Sequence, residues 1–481
     1  MPGCGLDNPQ VYKSDLRYNT PMFNQGSVVK LEISEIAAGG AGLAKKDGFP
    51  VFVTGAAVGD VIKARITFAK KDFAEAKIEE IIQPSPDRVQ PRCKHYPQCG
   101  GCALQHVRYD TQIKYKQKII CDTLGKTAGI QHELIRSILP SPSPWYYRNK
   151  VQLPLKKLGH DILMGYYQAG THRVVNMEEC FVQETELTRV ALGIKNIIRE
   201  HAVAIYDEEE KVGILRHLIV RGSSITGEIL VGFVINAKNL PFENEIIADI
   251  RKRFPAVVGV LASANQSATN VILGEKNKLL WGRGHYFEQL GSSLRGGEGG
   301  GQYKFKVSFP SFYQVNSAQV GNLYDLVLEM AALRKSDVVL DAYAGVGTIA
   351  AYLAPHCETV YGIEEMPAAC KDAEENMQLN NIENVRYGQG LVEDILPEFL
   401  KMDVHPNIVV LDPPRAGCTE MAIQWILKFK PKKIIYVSCA PATLARDLKK
   451  IIAAGYKLKA VQPIDMFPHT PHIESVSCLT R

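Results

Sequence analysis

Hydrophobic and polar positions change their period along this chain, and the clearest regularity lies in its last third. There, short apolar, β-branched runs alternate with stretches of helical period. Val338–Asp341, Thr359–Glu364, Asn384–Tyr387, Ile408–Asp412, Lys433–Val437 and Tyr456–Val461 read as strands. Residues 318–333, 366–380 and 420–429 carry apolar side chains at helical spacing and fall before or between them. Strand and helix in alternation predict a doubly wound, mostly parallel α/β sheet. Glu474–Leu479 reads as a last strand at the sheet's edge.

The first part of the chain follows another rhythm. Between residues 25 and 84, Val28–Ile33, Val51–Val53, Val61–Ile66 and Ala74–Glu79 are short strands. Gly39–Gly42, Lys46–Gly48 and Val58–Asp60 supply turns between them, which predicts a small β-barrel. Residues 1–24 are polar and aperiodic, as a loose extension would be. In the middle, 184–206 and 241–254 have helical character, and 212–220, 228–235, 256–261 and 270–273 are strand-like, an α+β pattern. Gly291–Gly301 reads as a flexible loop. Three domains are expected, at 25–84, 85–300 and 301–481. A length of 481 residues suits that number at about 150 residues each.

Composition narrows the function classes. No run of about eighteen apolar residues and no apolar leader are present, so a cytoplasmic protein without a membrane role is expected. Eleven cysteines in such a chain point to metal or catalysis ahead of a disulfide framework. The net charge of +5 is mild, but it is unevenly placed. Residues 25–84 hold eight basic and eight acidic side chains, whereas 83–118 hold seven basic against two acidic. A barrel of this size binds RNA or only stabilises its neighbours, and its zero net charge decides neither. Between 144 and 175, Trp145, Tyr146, Tyr147, Tyr166 and Tyr167 interleave with Arg148, Lys150, Lys156, Lys157, His172 and Arg173. Such mixing suits stacking on unpaired bases.

Candidate chemistry gathers in two places. Cys93, Cys99 and Cys102 form a C-x5-C-x2-C run with Gly100 and Gly101, a metal-ligand spacing, and Cys180 is the best fourth ligand. Zinc and an iron–sulfur cluster both accept four thiolates. The second place is the carboxyl edge of the α/β sheet, where open sheets bind ligands. Asp341–Thr348 follows one strand with a glycine loop, and Glu364 ends the next, placed for ribose hydroxyls. Asp412-Pro413-Pro414-Arg415 closes a further strand with a rigid turn. Cys439 sits between the strand Lys433–Val437 and a helix that opens at Pro441. A helix N-terminus lowers a cysteine pKa, so Cys439 reads either as a nucleophile or as an inert core thiol.

With those residues together, the chain resembles the RNA uracil-C5 methyltransferase family, and its 23S ribosomal RNA branch in particular. Residues 25–84 look like that family's TRAM barrel, an OB-like RNA-binding module. The cysteine run with Cys180 looks like its [4Fe-4S] site. Phe312–Asn316, the Tyr343 loop, Glu364, Asp412–Arg415, Ser438-Cys439 and Phe467–Glu474 match its catalytic motifs in order. The resemblance implies a Rossmann-like methyltransferase domain with S-adenosylmethionine held by Gln314, Tyr343, Glu364 and Asp412. It implies Cys439 as nucleophile and Glu474 as base, with 5-methyluridine in 23S ribosomal RNA as product and a monomer acting on an unpaired uridine. Two positions depart from the family: Ala440 stands where Asn usually follows the nucleophile, and Ala344 where a cysteine is common. As an N-cap, Asn→Ala costs about 1 kcal/mol.

Uracil chemistry explains the residue types. C5 is too poor a nucleophile to take a methyl group unaided, and a thiolate adding at C6 gives it carbanion character. A base must then remove the C5 proton so that the thiolate can leave. Rival readings are a tRNA uracil-C5 methyltransferase, a TRAM-containing iron–sulfur enzyme of another chemistry, an amino-group methyltransferase and a non-catalytic assembly factor. Radical enzymes of the second kind use a C-x3-C-x2-C run with an open iron site, narrower than the spacing here. Arg415, where amino-group enzymes place an aromatic, counts against the third. His469 and His472 read as structural.

Overall fold

The computed structural model describes residues 22–291, apart from positions 160, 268 and 270, and residues 302–481. The first 21 residues and most of the Gly291–Gly301 loop lie outside the described residues. Two compact units emerge. One ends at Gln90 and takes back His106–Arg108; the other comprises Pro91–Gln105 and Tyr109–Arg481.

The first unit is a six-stranded sheet in the order Val28–Glu32, Val61–Ala69, Ala74–Gln83, Phe49–Thr54, Gly42–Lys46, Glu35–Ile36. Alternation drives it: Ile62, Ala64 and Ile66 turn inward onto Leu31, Val51 and Val53, all essentially inaccessible. Gly42–Lys46, expected in part as a turn, is a strand paired with Phe49–Thr54. Asp60 is fully buried and accepts from Ala57 N at 2.7 Å, Ser85 N at 2.8 Å and Arg88 Nη2 at 2.7 Å, which fixes the unit's exit.

The second unit holds two large sheets. One has six strands in the order Lys276–Gly282, Val257–Ala264, Ile229–Ile235, Leu215–Gly222, Lys150–Leu158, Asp161–Met164. Helices Thr185–Glu200 and Glu243–Arg253 share its core through Val190, Ile194, Ile246 and Ile250. The strand-like run at 270–273 is not a strand where described. Asn265 Nδ2 donates to the carbonyls of Val271 (2.6 Å) and Ile272 (3.0 Å), taking acceptors that a ladder needs. A 20-residue helix, Tyr109–Ala128, stands where no apolar period announced one. Its buried positions include Thr111, Gln112 and Lys116, so polar side chains interrupt the pattern.

The other sheet has seven strands in the order Val385–Gln389, Thr359–Glu364, Val338–Ala342, Ile408–Leu411, Lys433–Ser438, Glu474–Thr480, Lys457–Ile464. The first five are parallel, and their β-branched runs are buried as a sheet covered on both faces requires. Glu474–Thr480 corrects the expectation of an edge strand. It inserts antiparallel between Lys433–Ser438 and Lys457–Ile464. No helix among the described residues is long and apolar enough to cross a membrane.

Candidate active site

Cys439 and Glu474 meet because of that insertion. The antiparallel register pairs Ser438 with Ser475, so the next positions outward are Cys439 and Glu474. Directly opposed residues of antiparallel strands lie about 4.5–5.5 Å apart. The Ser475 hydroxyl donates to the Ser438 carbonyl at 3.3 Å and ties the strand ends together. Register also pairs Glu474 with Ile464 on the other side, so the carboxyl is covered from both neighbours and only 2% exposed. Its Oε1 has no hydrogen-bond partner among the described residues. Burial and the nearby Asp412 push its pKa well above the carboxylate range, against the pull of Arg415. A carboxyl in that state is a strong base once ionised.

Cys439 is half-buried. Burial, with Glu474 and Asp412, pushes its thiol up to about 11, while the Arg415 guanidinium, in hydrogen-bond contact with it, pulls the other way. The following helix, Pro441–Ala453, starts at Ala440 with no side-chain cap. Ser438 Oγ accepts the Ala440 N–H at 3.2 Å instead, and Thr443 Oγ1 donates to the carbonyls of Ala440 and Arg415, both at 3.1 Å. Those bonds seat Arg415 beside the thiol.

Three of the four expected cofactor residues, Tyr343, Glu364 and Asp412, stand at strand ends along the same sheet edge. Tyr343 follows Val338–Ala342 with a φ of 70°, a left-handed conformation that costs a bulky residue strain. Its hydroxyl contacts Cys418. Glu364 is fixed by two backbone donors, Gly345 N to Oε2 and Met366 N to Oε1, each 2.8 Å, which leaves lone pairs for further donors. A Cβ on Gly345 would meet nothing within 4 Å, so open space lies against this loop. Asp412 is pushed up to about 7 by burial. Gln314 is buried, and Asn149 Nδ2 holds its carbonyl at 3.0 Å. Carboxylates at strand ends beside a glycine loop with room at Gly345 suit a nucleoside with a cationic tail.

Two residues here were not expected as site members. Arg415 brings a cation to the thiol, and its signal was a lone positive charge in Asp412-Pro413-Pro414-Arg415 at a strand tip. Asp341 is fully buried, and neither carboxylate oxygen has a well-formed hydrogen bond among the described residues. Burial and Asp412 keep its proton on far above the usual range. A carboxylate ending an apolar strand was its signal.

The four cysteines also converge. Cys93, Cys99, Cys102 and Cys180 line one small pocket with Tyr96, Tyr166 and Phe181. Burial pushes Cys99 up to about 11 and Cys102 up to about 12, and each is raised further by Cys180. Among the described residues, no three His, Cys, Asp or Glu side chains are disposed to hold one metal ion. Four thiols around one pocket, needing positive charge to ionise, are a donor set that suits zinc and an iron–sulfur cluster alike. The aromatic and basic stretch at 144–175 is divided between inward-packed and exposed side chains. Tyr147 is buried and donates to Pro468 O at 3.0 Å, Tyr166 Oη accepts from Gln183 Nε2 at 2.9 Å, and Trp145 stacks on His469. Tyr146, Lys156, Lys157, His172 and Arg173 are exposed.

Comparison with known proteins agrees with this geometry. Residues 298–481 match the model of the tRNA (uracil-5-)-methyltransferase family, and residues 23–78 match the TRAM domain. An uncharacterized RNA methyltransferase of Halalkalibacterium halodurans is 41% identical over 95% of this chain and 97% of its own length. One from Bacillus cereus is 38% identical over 96% and 98%. The structure of Pyrococcus abyssi tRNA (uracil-54, C5)-methyltransferase with S-adenosyl-L-homocysteine is similar, with a TM-score of 0.73 and 28% identity. That likeness covers 94% of this chain and 99% of that one.

Proposed function

The chain belongs to the RNA uracil-C5 methyltransferase family, an S-adenosylmethionine-dependent enzyme family, and we propose that it converts a uridine of 23S ribosomal RNA to 5-methyluridine through Cys439 and Glu474. The observation that carries this reading is the register that sets the two side by side at the edge where the nucleoside space opens. The cysteine centre, a feature in which the chain resembles the 23S branch, supports that target.

The Cys439 sulfur adds to C6, and the negative charge it brings passes into the ring, making C5 nucleophilic. S-adenosylmethionine, when bound, would supply an electrophilic methyl group for C5, its methyl–sulfur bond breaking to leave S-adenosylhomocysteine. Glu474 then takes the C5 proton, and the electrons of that C–H bond re-form the C5–C6 double bond as the C6–S bond breaks and the thiolate leaves. Gln314, Tyr343, Glu364 and Asp412 would hold the cofactor. Cys93, Cys99, Cys102 and Cys180 would hold a [4Fe-4S] cluster, with no part in these steps.

A trapping experiment tests the assignment. Glu474→Gln mixed with S-adenosylmethionine and transcribed 23S ribosomal RNA should accumulate a protein–RNA adduct that survives detergent, and the double variant with Cys439→Ala should not. Normal turnover by Glu474→Gln would remove it as the base. The likeness to a tRNA enzyme favours a second target. Transcribed tRNA run in parallel decides between the two, since only the true substrate is trapped at stoichiometric enzyme.

A further inference from the structure

Both flanks of the four-cysteine cavity end on one residue of the loop that leads into Glu474. Just past Cys102, the backbone N–H groups of Ala103 and Leu104 donate to the carbonyl of His469 at 2.9 and 3.0 Å. Just past Cys180, Phe181 meets Trp145 edge-on at 6.4 Å, and Trp145 stacks on the His469 ring at 3.7 Å and 27°. Gln112, fully buried, closes the arrangement. Its amide donates to the Leu104 carbonyl at 3.0 Å and lies 3.2 Å from His469 Nδ1, while its carbonyl accepts the His469 N–H at 3.1 Å. One turn on, buried Lys116 pairs with buried Asp465 at 2.5 Å and donates to the Phe467 carbonyl at 3.0 Å.

None of these groups is in the reaction described above. His469 stays neutral, since burial lowers its pKa to about 3. Its φ of 64° is one that a non-glycine residue keeps only where its surroundings impose it. What surrounds it comes from the cysteine-bearing segments and the helix Tyr109–Ala128, and five residues further on stands Glu474. Thr470 and His472 bridge that interval in a tight turn, Thr470 N to Phe467 O at 3.2 Å and His472 N to Thr470 Oγ1 at 3.3 Å.

We propose that Gln112 and His469 are positioning residues through which the four-cysteine site fixes the loop that delivers the Glu474 carboxyl to the substrate. The proposal rests on the reading of Glu474 as the base. It makes the cysteine site a support for the loop that places the base, although 289 residues separate Cys180 from His469 in sequence.

Gln112→Leu and Trp145→Leu break the two routes separately, so failure of one variant to fold leaves the other. Each full-length protein is mixed with S-adenosylmethionine and transcribed 23S ribosomal RNA, with wild type and Glu474→Gln alongside. Adduct should form at the wild-type rate and cofactor affinity should stay within about twofold. Adduct resolution should slow by up to about a hundredfold, the effect of a displacement of about 1 Å at a reacting group. Amide deuterium exchange across 465–474 should quicken in both. Equal loss of adduct formation and resolution, or resolution at the wild-type rate, overturns the proposal. If Glu474→Gln traps adduct while neither hub variant does, this inference alone falls; if Glu474→Gln traps none, the base assignment falls with it.

Discussion

Arg415→Met tests whether the guanidinium acts on the thiol. The change keeps much of the stem and removes the charge. In the resting site the Cys439 thiol stands at about 11, against about 8.5 for an ordinary cysteine. At pH 8, that difference takes the ionised fraction from roughly a quarter to about one part in a thousand. Two unit charges about 4 Å apart attract by about 4 kcal/mol at an effective dielectric of 20, and by about 1 kcal/mol in water. Arg415 is exposed, so solvent screening selects the lower figure, a little under one pKa unit. Its loss should cut thiolate, and with it the rate of addition to C6, about fivefold at pH 8. The assay is the single-turnover rate of adduct formation from pH 6.5 to 9 in the Glu474→Gln background, quenched in detergent. The Arg415→Met profile should be displaced to higher pH by just under one unit, with cofactor affinity unchanged. The whole range lies below the thiol's value of about 11, so the loss should be about fivefold at each pH and should persist at saturating RNA. A loss that saturating RNA restores would refute the reasoning, because an arginine that only binds RNA phosphate acts through RNA affinity.

Two further outcomes concern stability. Ala440→Asn should raise stability by about 1 kcal/mol, read as a melting temperature higher by about 2 °C, because Ala440 has an extended φ of −138° and no side-chain cap. Glu474→Gln should flatten the fall of stability with pH. The unfolded chain releases this proton near pH 4.3, whereas the native carboxyl holds it far higher. Between those values the native state binds more protons, so wild-type stability declines as pH rises. The variant should therefore match wild type near pH 4 and melt higher at pH 7.5, measured by calorimetry across that interval; Asp412 adds a decline of the same sign up to about 7 in both.

What could be read from sequence follows how each element buries its surface. The parallel strands Val338–Ala342, Ile408–Leu411 and Lys433–Ser438 are covered on both faces, so they appear as unbroken apolar runs. The carboxyl-edge residues follow directly from those runs. The helix Tyr109–Ala128 escaped because its interior face is partly polar, and Gln112 and Lys116 are buried by partners more than 340 residues away. Trp145 and Tyr147 misled for the converse reason. Their composition suits RNA, but their partners are His469 and Pro468, far along the chain. Spatial strand order is likewise absent from chain order, which is why Glu474–Thr480 was expected at the edge.

That last displacement carries the chemistry. Parallel strands present their carboxyl ends at one edge, so Tyr343, Glu364, Asp412 and Cys439 all come at or just past the end of a strand. A strand running the other way presents its first residue at the same edge, and that residue is Glu474. Insertion between two neighbours also removes Glu474 from water, which an edge position would not do. The protonated carboxyl that results is an asset at the first step. An ionised Glu474 would oppose ionisation of Cys439, and a neutral one does not. Addition to C6 then moves the sulfur's charge into the ring, and methyl transfer from a sulfonium cancels it. On the proposed roles, Glu474 must release its own proton to water before it can take the C5 proton, and in the neutral adduct no thiolate stands beside it to oppose that release. On that reading, burial of Glu474 by its two neighbouring strands separates the step that needs it neutral from the step that needs it ionised.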